Sequence, residues 1–433
     1  MSLSLPSCEQ RTGSDSQLPW WRRWRWLVLG AVVLAFAVRA GTIILGTSVP
    51  APGPGGDFDH YDYIARSLLD GKGFMLYGHP NIHRAPGYAV FIAGVYALTG
   101  RSYMALVWSQ VGLVVLMVWL VALLGRQLAD ERTGILAAYL AAVNPVLLFW
   151  SLRPVSEPLF AVCVLVAVLI IGPALRGVIW WRVVVAGVLT GLACLVRPQL
   201  LILPIFLGLA WLWRLKWRGV VVALVFTVVM WIPIAPWTWR NYTVTHTFLP
   251  VSNLSGTVLW LSNNERVLND PVYWGYNVPP ATTKVNSTPP YSPVDEQLRS
   301  DREKRAEALE FLRANAEKIP LLVAYKLIRF LSLGTQVSQW KKALLFVLDI
   351  PLFPLALIGI VVLWRRGTPE LAATLAVLMS TFLTIAVFWG DSRFRLTIIP
   401  YFCVLASVAL LAGWRALRRA VFAEQPSVSI GNS

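Results

Sequence analysis

Charge is scarce in this chain. Only 14% of its 433 residues are Asp, Glu, Lys or Arg, against 57% that are apolar. A water-soluble domain of that make-up could not hide its apolar surface, so a soluble globular fold is excluded. Cysteine is scarce as well. Cys8, Cys163, Cys194 and Cys403 lie in the N-terminal tail and in apolar runs. They form neither a disulfide framework nor a metal-ligand spacing. No internal repeat and no inverted symmetry between halves is visible, features that secondary transporters often carry. Acidic residues number 22 against 38 basic ones, a net charge of +16. Such an excess can mark a nucleic-acid binder. Here it sits at the ends of apolar runs, where it orients a membrane protein, so nucleic acid is not an expected partner.

What the chain does have is length of apolar run. Stretches of about 18 or more apolar residues recur, enough to cross a hydrocarbon core of about 30 Å as helices. Residues 1–19 are polar. Arg22, Arg23 and Arg25 precede the first run and place the N-terminus in the cytoplasm. That run lacks a small-residue cleavage site, which predicts a retained helix over 26–47 rather than a removed signal peptide. Further spans are expected at 103–125, 134–152, 157–175, 179–196, 198–213, 219–237, 343–364, 369–388 and 396–414. Ten spans put every short Lys/Arg-rich connector on one side with both termini. Of two shorter apolar segments, 86–100 and 319–334, either alone would break that parity and both together would flip the connectors between them, so both are read as interfacial or re-entrant helices. The fold class is therefore an all-α polytopic membrane bundle with two outer elements, 48–102 and 238–318. The second closes on an amphipathic helix with Ala306, Leu309, Leu312 and Ala316 at near-helical spacing.

The first outer loop is the acidic exception in an apolar chain. It reads GGDFDHYDYIARSLLDGKGF from Gly55 to Phe74, with four aspartates, and it holds His60. Asp57, Tyr61, Ile64, Ala65 and Leu68 recur at helical intervals. Asp57 then sits at a helix N-terminus, which favours an ionised carboxylate and lets it serve as a general base. The plainer reading is a solvated helix cap. Three of the chain's four histidines, His60, His79 and His83, fall in this one loop, and Arg84 follows at its end. A divalent metal on Asp57, His60 and His83 is an alternative, although the spacing matches no recognised site.

Other polar residues gather on the same expected face: Arg153 and Glu157, Arg197, Arg240, then Asp391, Arg393 and Arg395. One arginine alone can snorkel to the interface. A set of them on one side describes a carboxylate-bearing pocket lined by cations, suited to an anionic ligand whose tail stays in lipid. Asp349, within LFVLDIPLFP, is the main intramembrane acid and is expected to be hydrogen-bonded between helices.

In their order along one hydrophobic chain, the stretches DFDHYDYIARSLLDGKGF, HRAPGYAVFIAGVYALTG, GVLTGLACLVRPQ, PWTWRNYTVTHTFLPVSNLSGTVLWLSNN and DSRFRLTIIPYFCVLA resemble one family. It is the bacterial polyprenyl-phosphate-sugar glycosyltransferases of the protein mannosyltransferase type, a GT-C group that includes the lipid A aminoarabinose transferases. Asp57 matches the aspartate of the family's Asp-Glu pair, while Phe58 stands where the glutamate would. His83-Arg84-Ala85-Pro86 stands where the aminoarabinose transferases have Glu-Lys-Pro-Pro, so Arg84 keeps the cation and His83 replaces the carboxylate.

The resemblance implies a membrane glycosyltransferase of the bacterial cytoplasmic membrane. It would move a sugar from a polyprenyl phosphate to an acceptor hydroxyl on the outer face, with inversion. Asp57 would be the base, with Asp59 behind it. Arg84, Arg240 and Arg197 would bind the donor phosphate, and Tyr61, His83, Glu157 and Arg393 would line the pocket. The implied partners are the lipid-linked sugar, the bilayer and an acceptor whose identity the sequence leaves open. The expected units are a basic cytoplasmic tail (1–25), a transmembrane catalytic module (26–237), an outer-face segment (238–342), C-terminal spans (343–414) and a cytoplasmic tail (415–433). The alternative is a transporter or flippase of lipid-linked glycans.

Overall fold

The computed structural model describes residues 20–45, 57–283, 285, 289, 292–332 and 347–423. Gly55 and Gly56, expected to release the chain before the acidic helix, lie outside them. Helices dominate, as the apolar runs require. In chain order they are α1 (Trp20–Ile44), α2 (Asp57–Leu69), α3 (Pro86–Thr99), α4 (Tyr103–Leu128), α5 (Glu131–Val143), α6 (Pro145–Ser151) and α7 (Glu157–Ile171). Then come α8 (Trp180–Val196), α9 (Leu203–Leu215), α10 (Trp217–Thr245), α11 (Ser255–Ser262), α12 (Glu265–Asn269), α13 (Val294–Ala314) and α14 (Ile319–Leu331). The last are α15 (Leu352–Arg365), α16 (Leu371–Val387) and α17 (Ile399–Ala423).

Among the described residues six helices are long and apolar enough to cross a bilayer, and the bent pair α5–α6 makes a seventh candidate. The apolar helices α8, α15 and α16, of 17, 14 and 17 residues, fall on the remaining expected spans but are shorter than the other candidates, and residues 343–346 of the expected 343–364 span lie outside the described residues. At one end lie the connectors after α4, α7, α9 and α15. There Arg415 pairs with Asp130, Arg176 with Glu370, and Trp213 stacks on Trp364 at 5.9 Å. The other end carries α2, α3, the turn 152–156, Arg197, the C-terminus of α10 and α11 to α14. α3 and α14 have 14 and 13 residues, about 20 Å at a rise of 1.5 Å per residue, too short to cross.

The expected single span over 134–152 is broken. Asn144 ends α5, and its side chain accepts from the backbone N–H groups of Val146 and Leu147 to start α6, with a bend of 53°. Asn-Pro is a strong turn pair, and proline at the first helical position fits the new start. The break is held by polar groups inside the bundle. Arg39 of α1 donates to the Ala142 carbonyl (3.1 Å) and to Ser151 Oγ (3.2 Å). Asn144 donates to Asp349 at 3.3 Å, and Arg395 meets the same carboxylate at 2.7 Å. Asp349 is thus hydrogen-bonded between helices, as expected.

One expectation is corrected in the 238–318 segment. α13 forms, but Ala306, Leu309 and Ala316 are exposed, and only Leu312 of the four is partly covered. The buried face is Leu298, Asp301, Lys304 and Ala308. Hydrogen bonding decides it: Asp301 accepts from the backbone N–H groups of Gly256 (3.1 Å) and Thr257 (2.8 Å) at the start of α11. A carboxylate there satisfies donors that the helix itself cannot. Gly256 is required by the close approach, since a Cβ would lie 2.1 Å from the Asp301 carbonyl oxygen. A count of apolar spacing cannot see that contact.

The segment after α10 has a small core with α14, made of Val267, Leu268, Val278 and Leu322. Lys326 of α14 ties it to the bundle. Its ammonium, buried, donates to Asn263 Oδ1 (2.7 Å) and to the carbonyls of Ala386 (3.1 Å) and Val387 (3.0 Å) at the end of α16.

Candidate active site

α2 begins at Asp57, as the helical spacing predicts. The Asp57 side chain lies outside the described residues. Behind α2 a two-residue hairpin folds back, with Met75 opposite Pro80 and Leu76 opposite His79. Its tip is Tyr77–Gly78, with φ of 49° and 90°. Two consecutive positive φ values make a tight turn that suits the strand twist. Gly78 adopts this freely. Tyr77 does so at a cost, which is offset by its contacts. Its hydroxyl donates to Asp59 at 2.8 Å, and its ring lies 4.5 Å from that of Tyr63.

The loop then delivers Arg84 to α2. Arg84 Nη2 lies 2.9 Å from His60 Nδ1, and the guanidinium lies over the Tyr61 ring at 5.6 Å. Arginine can only donate, so in this contact His60 Nδ1 is the acceptor. Tyr61 is buried, edge-on to Tyr88 at 5.1 Å. Tyr88 in turn accepts from Gln110 at 2.8 Å. His83 donates its backbone N–H to Asn81 Oδ1 at 3.2 Å.

Arg240, at the last turns of α10, holds this loop in place. It donates to the carbonyls of Asn81 (2.8 Å) and Phe74 (3.2 Å), and lies over the Trp237 ring at 4.9 Å. The turn after α10 is tied down as well: Asn241 donates to the Leu249 and Val251 carbonyls, and Asn253 N–H donates to the Ile82 carbonyl. The loop after α2 and the segment after α10 are therefore joined at one end of the bundle.

A second cluster stands at the start of α7. Glu157 is fully buried and pairs with Arg197 at 2.6 Å. Arg393 donates to its other oxygen at 2.9 Å. Arg197 also donates to Ser156 Oγ at 3.1 Å. One buried carboxylate thus accepts from two guanidinium groups. The structure thus brings Glu157, Arg197 and Arg393 together, and separately Asp59, His60, Tyr61 and Arg84. Asp391 caps the turn that carries Arg393, accepting from its N–H at 2.8 Å.

Among the described residues no three His, Cys, Asp or Glu side chains form a cluster that could hold a metal. His60 Nδ1 is occupied by Arg84. The sequence reading did not find Tyr77, whose signal was Tyr-Gly between two short apolar stretches. Nor did it find Lys326, a lone lysine inside an apolar helix.

Residues 80–239 match the model of a family described as dolichyl-phosphate-mannose-protein mannosyltransferase. No curated protein sequence matches. Among solved structures, the chain is similar to the oligosaccharyltransferase AglB of Archaeoglobus fulgidus, in complex with an inhibitory peptide and a dolichol-phosphate. The TM-score is 0.55 at 16% identity, over 96% of this chain and 53% of that one. The same enzyme with zinc and sulfate matches at a TM-score of 0.54 and 17% identity, over 92% and 50%. ArnT of Cupriavidus metallidurans bound to undecaprenyl phosphate aligns at a TM-score of 0.41 and 14% identity, over 94% and 81%. The chain spans about half the length of the oligosaccharyltransferase structures it matches. The segment that resembles this family carries Arg84, Glu157 and Arg197, and the helical bundle is similar in fold to the oligosaccharyltransferase structures.

Proposed function

We propose that this protein transfers a sugar from a polyprenyl-phosphate donor to an acceptor hydroxyl on the outer face of the cytoplasmic membrane. The observation that carries the reading is the meeting of Arg84 with the acidic helix α2, at the end of the bundle opposite the basic connectors. Connectors rich in Arg and Lys stay in the cytoplasm, which leaves the α2 end outside. The printed descriptions of the family and of both relatives name prenyl-linked phosphates, which supports that donor class.

The chemistry follows from the groups at hand. The acceptor oxygen attacks the anomeric carbon and loses its proton to a carboxylate. The bond from that carbon to the phosphate oxygen breaks, and the phosphate leaves with the electron pair. Asp57 is the proposed base. As the first residue of α2 it sits where the helix dipole favours the ionised form. Asp59, the second choice, already accepts the Tyr77 hydroxyl. The leaving phosphate is a good anion and needs cationic stabilisation more than a proton. Arg84 is the proposed contact. Arg240 supports it by holding the loop that carries it. Arg197 acts with Arg393 on Glu157. Attack opposite to the leaving phosphate inverts the anomeric centre.

The test is a transfer assay in membranes containing the full chain. Labelled sugar is supplied either on polyprenyl phosphate or on a nucleotide. Label should reach an acceptor only from the lipid-linked donor. Transfer from the nucleotide alone, or movement of the intact lipid-linked sugar across the bilayer without transfer, would sink the proposal.

A further inference from the structure

The turn between α6 and α7 carries a cation whose use the fold does not account for. Arg153 lies in the sequence Ser151-Leu152-Arg153-Pro154. Its guanidinium stands 3.9 Å from the centre of the Phe149 ring and 5.3 Å from that of Trp150. Its charge also acts on the Tyr103 phenol. Tyr103 meets Phe58 edge-on at 5.4 Å, and Phe58 lies between Asp57 and Asp59. On the other side, Trp150 also carries Arg393 at 5.8 Å. Arg153 therefore stands between the start of α2 and the Glu157 cluster.

The cations around it have oxygen partners inside the protein. Arg197 and Arg393 share Glu157. Arg395 has Asp349, and Arg240 has two loop carbonyls. Among the described residues the Arg153 guanidinium has aromatic faces but no ion pair and no hydrogen bond. Aromatic faces attract its charge without using its five N–H donors. They also limit how the planar fork can turn. A half-buried fork held against rings, with its donors unspent, is suited to bidentate oxygens of a phosphate.

We propose that Arg153 is a second donor-site cation, contacting the anionic oxygens of the lipid-linked phosphate across the pocket from Arg84. This rests on the proposed use of a polyprenyl-phosphate donor. The ligand class is a phosphate ester with an apolar tail. An arginine that only snorkels to the interface would leave phosphate recognition untouched, and lysine would replace it without consequence.

The experiment uses the full chain in lipid nanodiscs and a polyprenyl monophosphate as probe, with wild type, Arg153→Gln and Arg153→Lys. Thermal unfolding first confirms that each variant is folded. Charge-assisted hydrogen bonds contribute about 1.5–3 kcal/mol, so Arg153→Gln should weaken probe binding by roughly 10- to 100-fold. Arg153→Lys should recover part of it. In the transfer assay the donor KM should rise in Arg153→Gln. Inorganic phosphate and vesicles containing phosphatidylglycerol are separate arms. If either competes with the probe at equal concentration, the site takes any phosphate and the lipid-linked assignment fails. Probe binding by Arg153→Gln within about twofold of wild type, or no binding by wild type, overturns the inference. If no lipid-linked sugar is transferred yet probe binding still depends on Arg153, the inference stands and the transfer reading falls.

Discussion

The two ends of the bundle use the same ion pair differently. At the end with the basic connectors, Arg415 meets Asp130 with their side chains 39% and 36% exposed. At the end with α2, Glu157 and Asp349 are fully buried, and their arginines come from remote parts of the chain. An exposed pair gains little over its solvated partners. A buried pair has lost its water, so removing one partner strands the other. Both ends are rich in arginine, and composition alone cannot tell them apart. Glu370 at the connector end is buried too, but its partner Arg176 is 65% exposed; what separates the α2 end is that the arginines paired with Glu157 and Asp349 are covered as well.

The largest effect should come from Asp57. Asp57→Asn leaves a good helix cap and removes a carboxylate able to take a proton. A general base typically contributes ~10²–10⁴-fold to rate, so turnover should fall at least about 100-fold while expression and donor binding persist. Asp59→Asn is the control: it weakens the hold on Tyr77 and should act far less. A large loss from Asp59→Asn with none from Asp57→Asn would move the base by two residues. No loss from either would remove this loop from the chemistry.

Much of this comparison was legible in the sequence, and what was not has physical causes. Long apolar runs with basic connectors specify crossings because the bilayer leaves helices few alternatives. The α3 and α14 segments were legible by length alone. The gathering of Arg197, Glu157 and Arg393 at one end followed from topology. Their pairing did not, because Glu157 and Arg393 are 236 residues apart and no local pattern encodes such a contact. The break at Asn144–Pro145 was written in its dipeptide but lay hidden in apolar sequence. The buried face of α13 was misread because Asp301 is buried by hydrogen bonds, which apolar periodicity ignores. Arg153 was visible as a residue, but its unspent donors appear only when every neighbour's partner is known.

The buried pairing makes a second prediction, on stability. Glu157→Ala removes the buried carboxylate that Arg197 and Arg393 share and should cost about 3–5 kcal/mol. Thermal unfolding of the purified protein checks it. If Arg197→Ala accompanies Glu157→Ala, part of the loss should return, because one uncompensated charge is gone. A Glu157→Ala protein as stable as wild type would mean that water reaches this cluster freely.

Lys326 gives a smaller effect with a defined sign. Burial pushes its ammonium down to about 7, from an ordinary value of 10.5. Between those values the unfolded chain holds a proton that the folded chain has released. Stability therefore rises with pH across that window, by at most ~1.4 kcal/mol per unit, and is flat with respect to this group below it. Lys326→Met lacks the titration. The melting temperature of wild type relative to that variant should climb between about pH 7 and pH 9. A constant difference would show that Asn263 and the α16 carbonyls keep the ammonium charged throughout.

The smallest effect is expected at the opposite end, and it tests the contrast itself. Asp130 accepts from the Thr133 N–H at 2.8 Å as the cap of α5 and pairs with Arg415 across the connector. Asp130→Asn keeps a capping oxygen and removes only the charge. Exposed pairs contribute about 0–1 kcal/mol, so the variant should lose less than about 1 kcal/mol, and most of that loss should vanish in high salt, which screens surface charges. A double-mutant cycle with Arg415→Gln measures the coupling directly. A coupling as large as that between Glu157 and Arg197 would show that both ends bury their charges alike. Burial would then no longer mark the α2 end as the site, and the case for that end would rest on its carboxylates and on Arg153 alone.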